Sequence, residues 1–191
     1  IDGAAGDYHS MALRKDGTIA CWGLNDSGQC DAPDGIFSLV AAGNSHSLGL
    51  RVDGTITCWG ANENGQCNAP KGVFIEVAAG DAFSIGLRQD GTIECWGSNG
   101  FGQCNAPDGI FTQVRAGNYH SMGLRTDGSI ECWGNNIAGQ CNAPDGPFEQ
   151  LTACEFSSMG LRENGAIECW GYFSHGQWNP PERVFTQVSS F

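Results

Sequence analysis

The stretch TITCWGANENGQCNAP, from Thr55 to Pro70, recurs with few changes at Thr18–Pro33, Thr92–Pro107 and Ser129–Pro144. Its Cys-Trp-Gly step begins at Cys21, Cys58, Cys95, Cys132 and Cys169, a constant interval of 37 residues. A fixed period of this length marks a solenoid, a propeller or an array, and it has to be settled before any single residue is interpreted. The whole unit reads F-x-x-V-x-A-G-x-x-H-S-x-G-L-R-x-D-G-T-I-x-C-W-G-x-N-x-x-G-Q-C-x-A-P-x-G. Five copies account for 185 of the 191 residues.

Within a unit the hydrophobic alternation has period two. Ser47–Arg51 and Thr55–Trp59 flank Val52-Asp53-Gly54, and Asp-Gly between two such runs signals a tight hairpin, because the turn needs a positive φ. The turn repeats at Asp16-Gly17, Asp90-Gly91, Asp127-Gly128 and Asn164-Gly165. Phe37–Ala41 reads as a strand before the hairpin, and the stretch around Gln66 and Cys67 as a short fourth strand ended by Ala69-Pro70. Nothing in the unit has helical spacing. The expected fold is all-β: a five-bladed β-propeller of four-stranded, 37-residue blades, forming one domain over residues 1–191. The repeats span approximately 1–36, 37–73, 74–110, 111–147 and 148–184, with 185–191 as a closing strand. Because Ile1–Gly6 aligns with Ser38–Gly43, the first unit lacks its Phe-x-x-Val start, and Phe185-Thr186-Gln187-Val188 carries that missing piece. The expectation is that Phe185–Val188 completes the first blade, so that pairing of the N- and C-terminal segments closes the ring. An open ring would leave strand edges unpaired.

Composition narrows the function classes. Twenty-one Asp and Glu against nine Lys and Arg give a formal net charge of −12, which argues against nucleic acid as a partner, since that affinity comes from cations neutralising phosphates. An anionic membrane surface is disfavoured for the same reason, and no apolar run approaches the roughly 18 residues of a spanning helix. No signal peptide is visible, and the chain opens at Ile1 rather than Met, so a processed or excised segment is expected. Eight of the ten cysteines form four pairs nine residues apart: Cys21 with Cys30, Cys58 with Cys67, Cys95 with Cys104, and Cys132 with Cys141. Two thiolates per unit are too few for a closed zinc site, so disulfides, and a secreted or extracellular setting, are the expectation. Reduced core cysteines and bridges between units are the alternatives. In the fifth unit Trp178 replaces the second Cys and Cys154 appears where other units have Gly43 or Gly80, making Cys154 with Cys169 the natural substitute pair.

The string AAGNSHSLGLRVDGTITCWGANENGQ, Ala41 to Gln66, resembles the repeat of the regulator of chromosome condensation superfamily in its short bacterial-type form. The resemblance runs through A-G-x-x-H-S, the D-G-x-I hairpin, W-G-x-N and G-Q, and covers essentially the whole chain. Members of that superfamily form propellers, usually of seven blades. They act as guanine-nucleotide exchange factors, a plant ultraviolet photoreceptor, or a secreted inhibitor that caps β-lactamases. The resemblance therefore implies protein recognition by an open face or rim. Five units and paired cysteines depart from the superfamily's pattern.

Repeated positions read as construction. Trp22, Trp59, Trp96, Trp133 and Trp170 occur once per unit, as packing between blades requires, whereas a photoreceptor would gather its tryptophans with arginines on one surface. Asn25, Asn62, Asn99 and Asn136 suit loop bracing by side-chain to backbone bonds. His9, His46 and His120 share one position with Phe83 and Ser157; a general base would not alternate with Phe, so these are read as hydrogen-bonded structural histidines. With no Ser/His/Asp order, paired-carboxylate motif, phosphate loop or H-E-x-x-H, the chain is read as non-enzymatic, without cofactor or metal.

Function is expected where the units differ. One variable set lies between W-G and G-Q, including Asp26, Glu63, Phe101, Tyr172, Phe173 and His175; the other follows the A-G turn, at Asp7-Tyr8, Asn44-Ser45, Asp81-Ala82, Asn118-Tyr119 and Glu155-Phe156. The residues singled out for a protein or glycan partner are Asp7, Tyr8, Asp26, Glu63, Asp81, Phe101, Tyr119, Phe156, Tyr172, Phe173 and His175. Aromatic side chains give contact area at low entropy cost, and carboxylates accept hydrogen bonds. Two classes are compatible with this pattern: a monomer presenting one asymmetric surface to a single protein, and a multivalent lectin-like binder with one sugar site per blade.

Overall fold

The computed structural model describes residues 3–172, 180 and 183–189. Those residues form no helix; their fifteen strands make five separate antiparallel sheets of three strands each. The first sheet contains β1 (Gly3–Ala5), β2 (His9–Leu13) and β3 (Ile19–Gly23), and the second β4 (Phe37–Ala42), β5 (His46–Arg51) and β6 (Ile56–Gly60). The third contains β7 (Phe74–Ala79), β8 (Phe83–Arg88) and β9 (Ile93–Gly97), and the fourth β10 (Phe111–Ala116), β11 (His120–Arg125) and β12 (Ile130–Gly134). The fifth contains β13 (Gln150–Ala153), β14 (Ser157–Leu161) and β15 (Ile167–Gly171). In each sheet the middle strand is the second in sequence.

The Asp-Gly hairpins form where the sequence places them. Gly54 has φ 81°, a left-handed conformation that a side chain would strain. Asp53 Oδ1 accepts from the Thr55 hydroxyl at 2.6 Å and the Thr55 amide at 2.9 Å. These two bonds, the hydroxyl first, hold the Asp53 carboxyl below its usual range.

The fourth strand expected around Gln66 and Cys67 does not form. Backbone bonds from Gly65 to Asn62 (3.1 Å) and from Asn68 to Gly65 (3.0 Å) fold that stretch into successive turns. Asn62 Oδ1 accepts the Cys67 amide at 2.8 Å and Gln66 Oε1 accepts the Asn64 amide at 2.9 Å. Local partners consume the donors that a ladder would need, so each sheet stops at three strands.

The core lies between sheets. Leu48 and Leu50 of β5 pack with Phe74 and Val77 of β7 and with Trp96. Ile85 and Leu87 meet Phe111, Val114 and Trp133, and Met122 and Leu124 meet Phe148, Leu151 and Trp170. Trp96, Trp133 and Trp170 sit at these seams and Trp59 bonds across the seam between the first two units, as expected, whereas Trp22 is exposed. A carbonyl fixes each seam. Gln29 O accepts Ser47 Oγ at 2.8 Å and Trp59 Nε1 at 2.9 Å, both from the next unit. Gln66 O receives Ser84 and Trp96, and Gln103 O receives Ser121 and Trp133, in the same way.

Neighbouring units also touch through glycine. A Cβ on Gly43 would lie 2.5 Å from Gly80 O, and one on Gly117 2.3 Å from Cys154 O. Only glycine permits that approach. Cys154 carries the Cβ that this approach excludes, so the fifth unit offers no equivalent seat to a following carbonyl.

Two expectations about the chain's joints need correction. The inner strand of the first sheet is β1 itself, with Gly3 opposite Ala12 and Ala5 opposite Ser10; Phe185–Val188 does not take that place. Gln150 instead bonds Thr186 O through Nε2 (3.1 Å) and the Val188 amide through Oε1 (3.2 Å), as Gln113 bonds Glu149 O and the Leu151 amide. The C-terminal segment thus continues the series beyond the fifth sheet, and no ladder joins the first and fifth sheets among the described residues. The second correction concerns Cys154 and Cys169, which are both free. Cys169 faces Met159 on the outer side of the sheet, and Met159 faces Thr152, so the sheet's width separates Cys169 from Cys154 at the end of the inner strand. Cys58–Cys67 and Cys132–Cys141 are disulfides, whereas Cys21 with Cys30 and Cys95 with Cys104 are brought together but not bridged, their Sγ atoms 2.7 and 2.6 Å apart.

Trp22 is 56% exposed, whereas Trp59 is half-buried with its indole bonded across a seam. Trp59→Ala is therefore expected to cost about 3 kcal/mol and Trp22→Ala about 1 kcal/mol or less in urea unfolding. Equal losses would contradict the seam assignment.

Candidate functional site

Both variable loop sets emerge at one end of the array. Each A-G turn precedes a middle strand and each W-G loop follows the outer strand paired with it, so the two are adjacent. Backbone bonds tie them: Leu24 to Tyr8 O, Ala61 to Ser45 O, Ser98 to Ala82 O, Asn135 to Tyr119 O and Tyr172 to Phe156 O, all 2.8–2.9 Å. Asn25, Asn62, Asn99 and Asn136 each accept the amide five residues on at 2.7–2.8 Å. The loops are thereby held in one shape while their intervening side chains remain free to vary.

Residues from all five units converge at the axis. Gly6, Asp7, Gly43, Asn44, Gly80, Gly117, Asn118, Cys154 and Glu155 are among those lining one cavity of about 120 Å³. Outside it lies an open depression of about 510 Å³ bounded by Asp7, Tyr8, Asn118, Cys154 and Glu155. Asn44 Nδ2 donates to Asp7 Oδ2 at 2.9 Å. Phe101 and Tyr119, from neighbouring units, pack with ring centroids 5.5 Å apart. The charges of Asp81, Glu155 and Asp7, led by Asp81, push the Tyr119 phenol up, with burial and a hydrogen bond to Asp81 adding to the effect. Carboxylates of three units thus stand near this phenol.

Of the residues singled out from sequence, Asp7, Tyr8, Asp26, Glu63, Phe101 and Tyr172 are exposed, and Asp81, Tyr119 and Phe156 are half-buried. The structure joins Phe101 to Tyr119 and brings Asp7 and Tyr8 to the axial mouth, while Asp26 and Glu63 stay on separate loops. Phe173 and His175 lie outside the described residues. Selection by aromatic and acidic type passed over Asn44 and Asn118, which complete the axial collar, and Ile137, which is 89% exposed. Glu155 was visible as part of the A-G-x series, yet only its register with Asp7 and Asp81 identifies it as a collar member.

The histidines belong to the seams. His9, His46 and His120 place Nε2 2.8–3.0 Å from Ser47, Ser84 and Ser158 Oγ. Each of these hydroxyls donates to a glutamine carbonyl, so Nε2–H is the donor to Oγ. A buried serine whose proton is already committed, beside an imidazole that donates, is not an activated nucleophile.

The sequence pattern of the regulator of chromosome condensation (RCC1) repeat matches residues 1–29, 37–66, 74–103 and 111–140. The chain belongs to this RCC1-repeat family. No curated protein sequence matches it. Among solved structures, the ectodomain of the Physcomitrella patens receptor kinase CR4 is 30% identical with a TM-score of 0.82, covering 97% of this chain and 54% of its own. The CRINKLY WD40 ectodomain of the Arabidopsis thaliana receptor kinase ACR4 is 28% identical with a TM-score of 0.73, covering 88% and 62%. Prp20p of Saccharomyces cerevisiae, at 19% identity and a TM-score of 0.74 over 86% of this chain and 56% of its own, shares the fold. This RCC1-repeat chain thus spans between half and two thirds of these relatives' lengths.

Burial pushes His46 and His120 down to about 4. From pH 6.5 down to about 4 the unfolded chain takes up protons there that the folded chain refuses, so stability is full above 6.5 and falls with falling pH through this window. Phe83 already fills the equivalent seat in the third unit without loss of the Ser121 to Gln103 bond. His46→Phe together with His120→Phe should therefore fold and flatten the melting temperature between pH 6.5 and 4; an unchanged acid slope would contradict the account.

Proposed function

We propose that this RCC1-repeat chain is a non-enzymatic, extracellular binding module of propeller type that recognises a protein through its variable loop end. The observation that carries this reading is the division of labour along the repeat. Positions shared by the units are consumed at seams and turns, while positions that differ lie together at one end with Tyr8, Phe101 and Tyr172 exposed by 60, 51 and 62%. Exposed aromatics on braced loops are the usual anchors of protein recognition. Two relatives are receptor-kinase ectodomains, and the regular cysteine pairs suit an oxidising compartment; both support the extracellular setting. An uneven loop set favours one asymmetric partner over five equivalent sugar sites. Phe101 packs on Tyr119 at one seam, while the matching sequence position in the other units is Ser27, Asn64, Ala138 or His175.

Screening against arrayed secreted proteins and a glycan array, followed by titration calorimetry, tests this. A single protein site per chain is expected, weakened at least about tenfold by Phe101→Ala or Tyr172→Ala with the melting temperature nearly unchanged. About five sugars bound per chain, with no protein ligand, would replace this reading with the lectin-like one.

A further inference from the structure

The cations of this chain are spent away from the loop end. Arg51, Arg88, Arg125 and Arg162 stack over Phe37, Phe74, Phe111 and Phe148 at 4.1–4.8 Å beside the Asp-Gly hairpins. They also donate to the carbonyls of Asp34, Lys71, Asp108 and Asp145, locking the crossing between units. Arg14 bonds Ile19 O at the same end, and Lys15 sits in the hairpin turn. Arg115 pairs with Glu76 at 2.6 Å inside the array. Arg183 directly precedes Val184 and Phe185, which meet the Gly165 turn. No Lys or Arg remains in any A-G turn or in any W-G to A-P segment, yet these contain Asp7, Asp26, Asp31, Glu63, Asp81 and Glu155.

The same end carries the exposed apolar side chains Tyr8, Leu24, Phe101, Ile137 and Tyr172. A solvated acidic cap would not set aromatic and aliphatic groups among its carboxylates, and exposed apolar surface rimmed by charge marks an interaction surface. Two copies of this chain meeting by that end would oppose like charges, which disfavours self-association there. Resting on the protein-binding reading above, we propose that the partner docks a cationic surface on this end, with apolar side chains packing on Tyr8, Phe101 and Tyr172 and Lys or Arg groups meeting the carboxylates around the axial depression. Charge of one sign on a face without competing cations accelerates association with an oppositely charged partner and makes it sensitive to salt.

The test uses a phage-displayed library of random dodecapeptides selected on the folded chain. Enriched peptides are then synthesised and titrated at about 0.05 and 0.5 M NaCl, where the screening length shrinks severalfold. Enrichment of Lys and Arg alongside aromatic or aliphatic residues is expected, with binding weakened at least about tenfold by the higher salt. Asp7→Asn combined with Glu155→Gln should weaken it comparably, while Glu163→Gln at the opposite end should leave it unchanged. Peptides no richer in Lys and Arg than the unselected library, or binding indifferent to salt and to the paired substitution, would overturn the cationic partner. Should Phe101→Ala still weaken such peptides, the loop-end reading survives that failure; should it have no effect, both fall. A selection that enriches nothing, or sedimentation showing salt-stable dimers through this end, also counts against the cationic partner.

Discussion

One backbone carbonyl per unit holds the array together. Gln29, Gln66 and Gln103 each turn their carbonyl toward the following unit, where a serine hydroxyl and a tryptophan indole both donate to it. At the last seam Ser158 alone reaches Gln140 O, and the buried Trp170 indole has no partner. A carbonyl has two lone pairs, and here both are filled inside an apolar seam where water cannot replace either donor. The glutamine side chain serves the same purpose from the other side: its Oε1 accepts a loop amide two residues earlier, fixing the turn that aims the carbonyl. Disturbing the turn therefore disturbs the seam. The histidine of one unit, bonded to the serine of the next, adds a third member to the same junction.

This arrangement explains how a repeated sequence can carry an uneven surface. Most of what makes one sheet fit the next is contained in the shared core residues and the shared Gly, His, Ser, Trp and Gln positions, and the variable loops add contacts such as Asn44 N to Asp81 O and Asn44 Nδ2 to Asp7 Oδ2. Their backbone is braced, so substitution there changes chemistry without changing shape. The opposite end is built for cohesion, with arginines stacked on phenylalanines and bonded to carbonyls. Placing the cations there leaves the variable end with carboxylates alone.

Much of the fold was legible because the period and the Asp-Gly turns are local signals. The seam role of the tryptophans was legible too, since a large apolar residue once per unit has to be buried against something repeated. The fourth strand misled because Gln66 and Cys67 have no distinctive strand composition, and the side-chain oxygens of Asn62 and Gln66 draw the Cys67 and Asn64 amides into turns. The joint between chain ends depended on register: whether Phe185–Val188 pairs with β2 or lies beside β13 turns on Gln150 reaching forward, a tertiary contact that alignment of repeats cannot distinguish. Cys154 and Cys169 looked like a substitute pair by counting alone, while the strand order put Cys169 on β15 and Cys154 just past β13, with β14 between them. At the candidate site, residue type singled out Tyr8, Phe101 and Asp81 as candidates but not the axial collar, which exists only when five units converge.

The shared acceptor can be tested most directly by a double-mutant cycle on Ser84→Ala and Trp96→Phe, read by urea unfolding. Either substitution alone leaves Gln66 O with one donor, whereas the two together leave a buried carbonyl with none. The seam account predicts that the double variant loses about 1 kcal/mol or more beyond the sum of the single losses. Strict additivity, with each single change costing no more than about 0.5 kcal/mol as for an ordinary surface substitution, would contradict it.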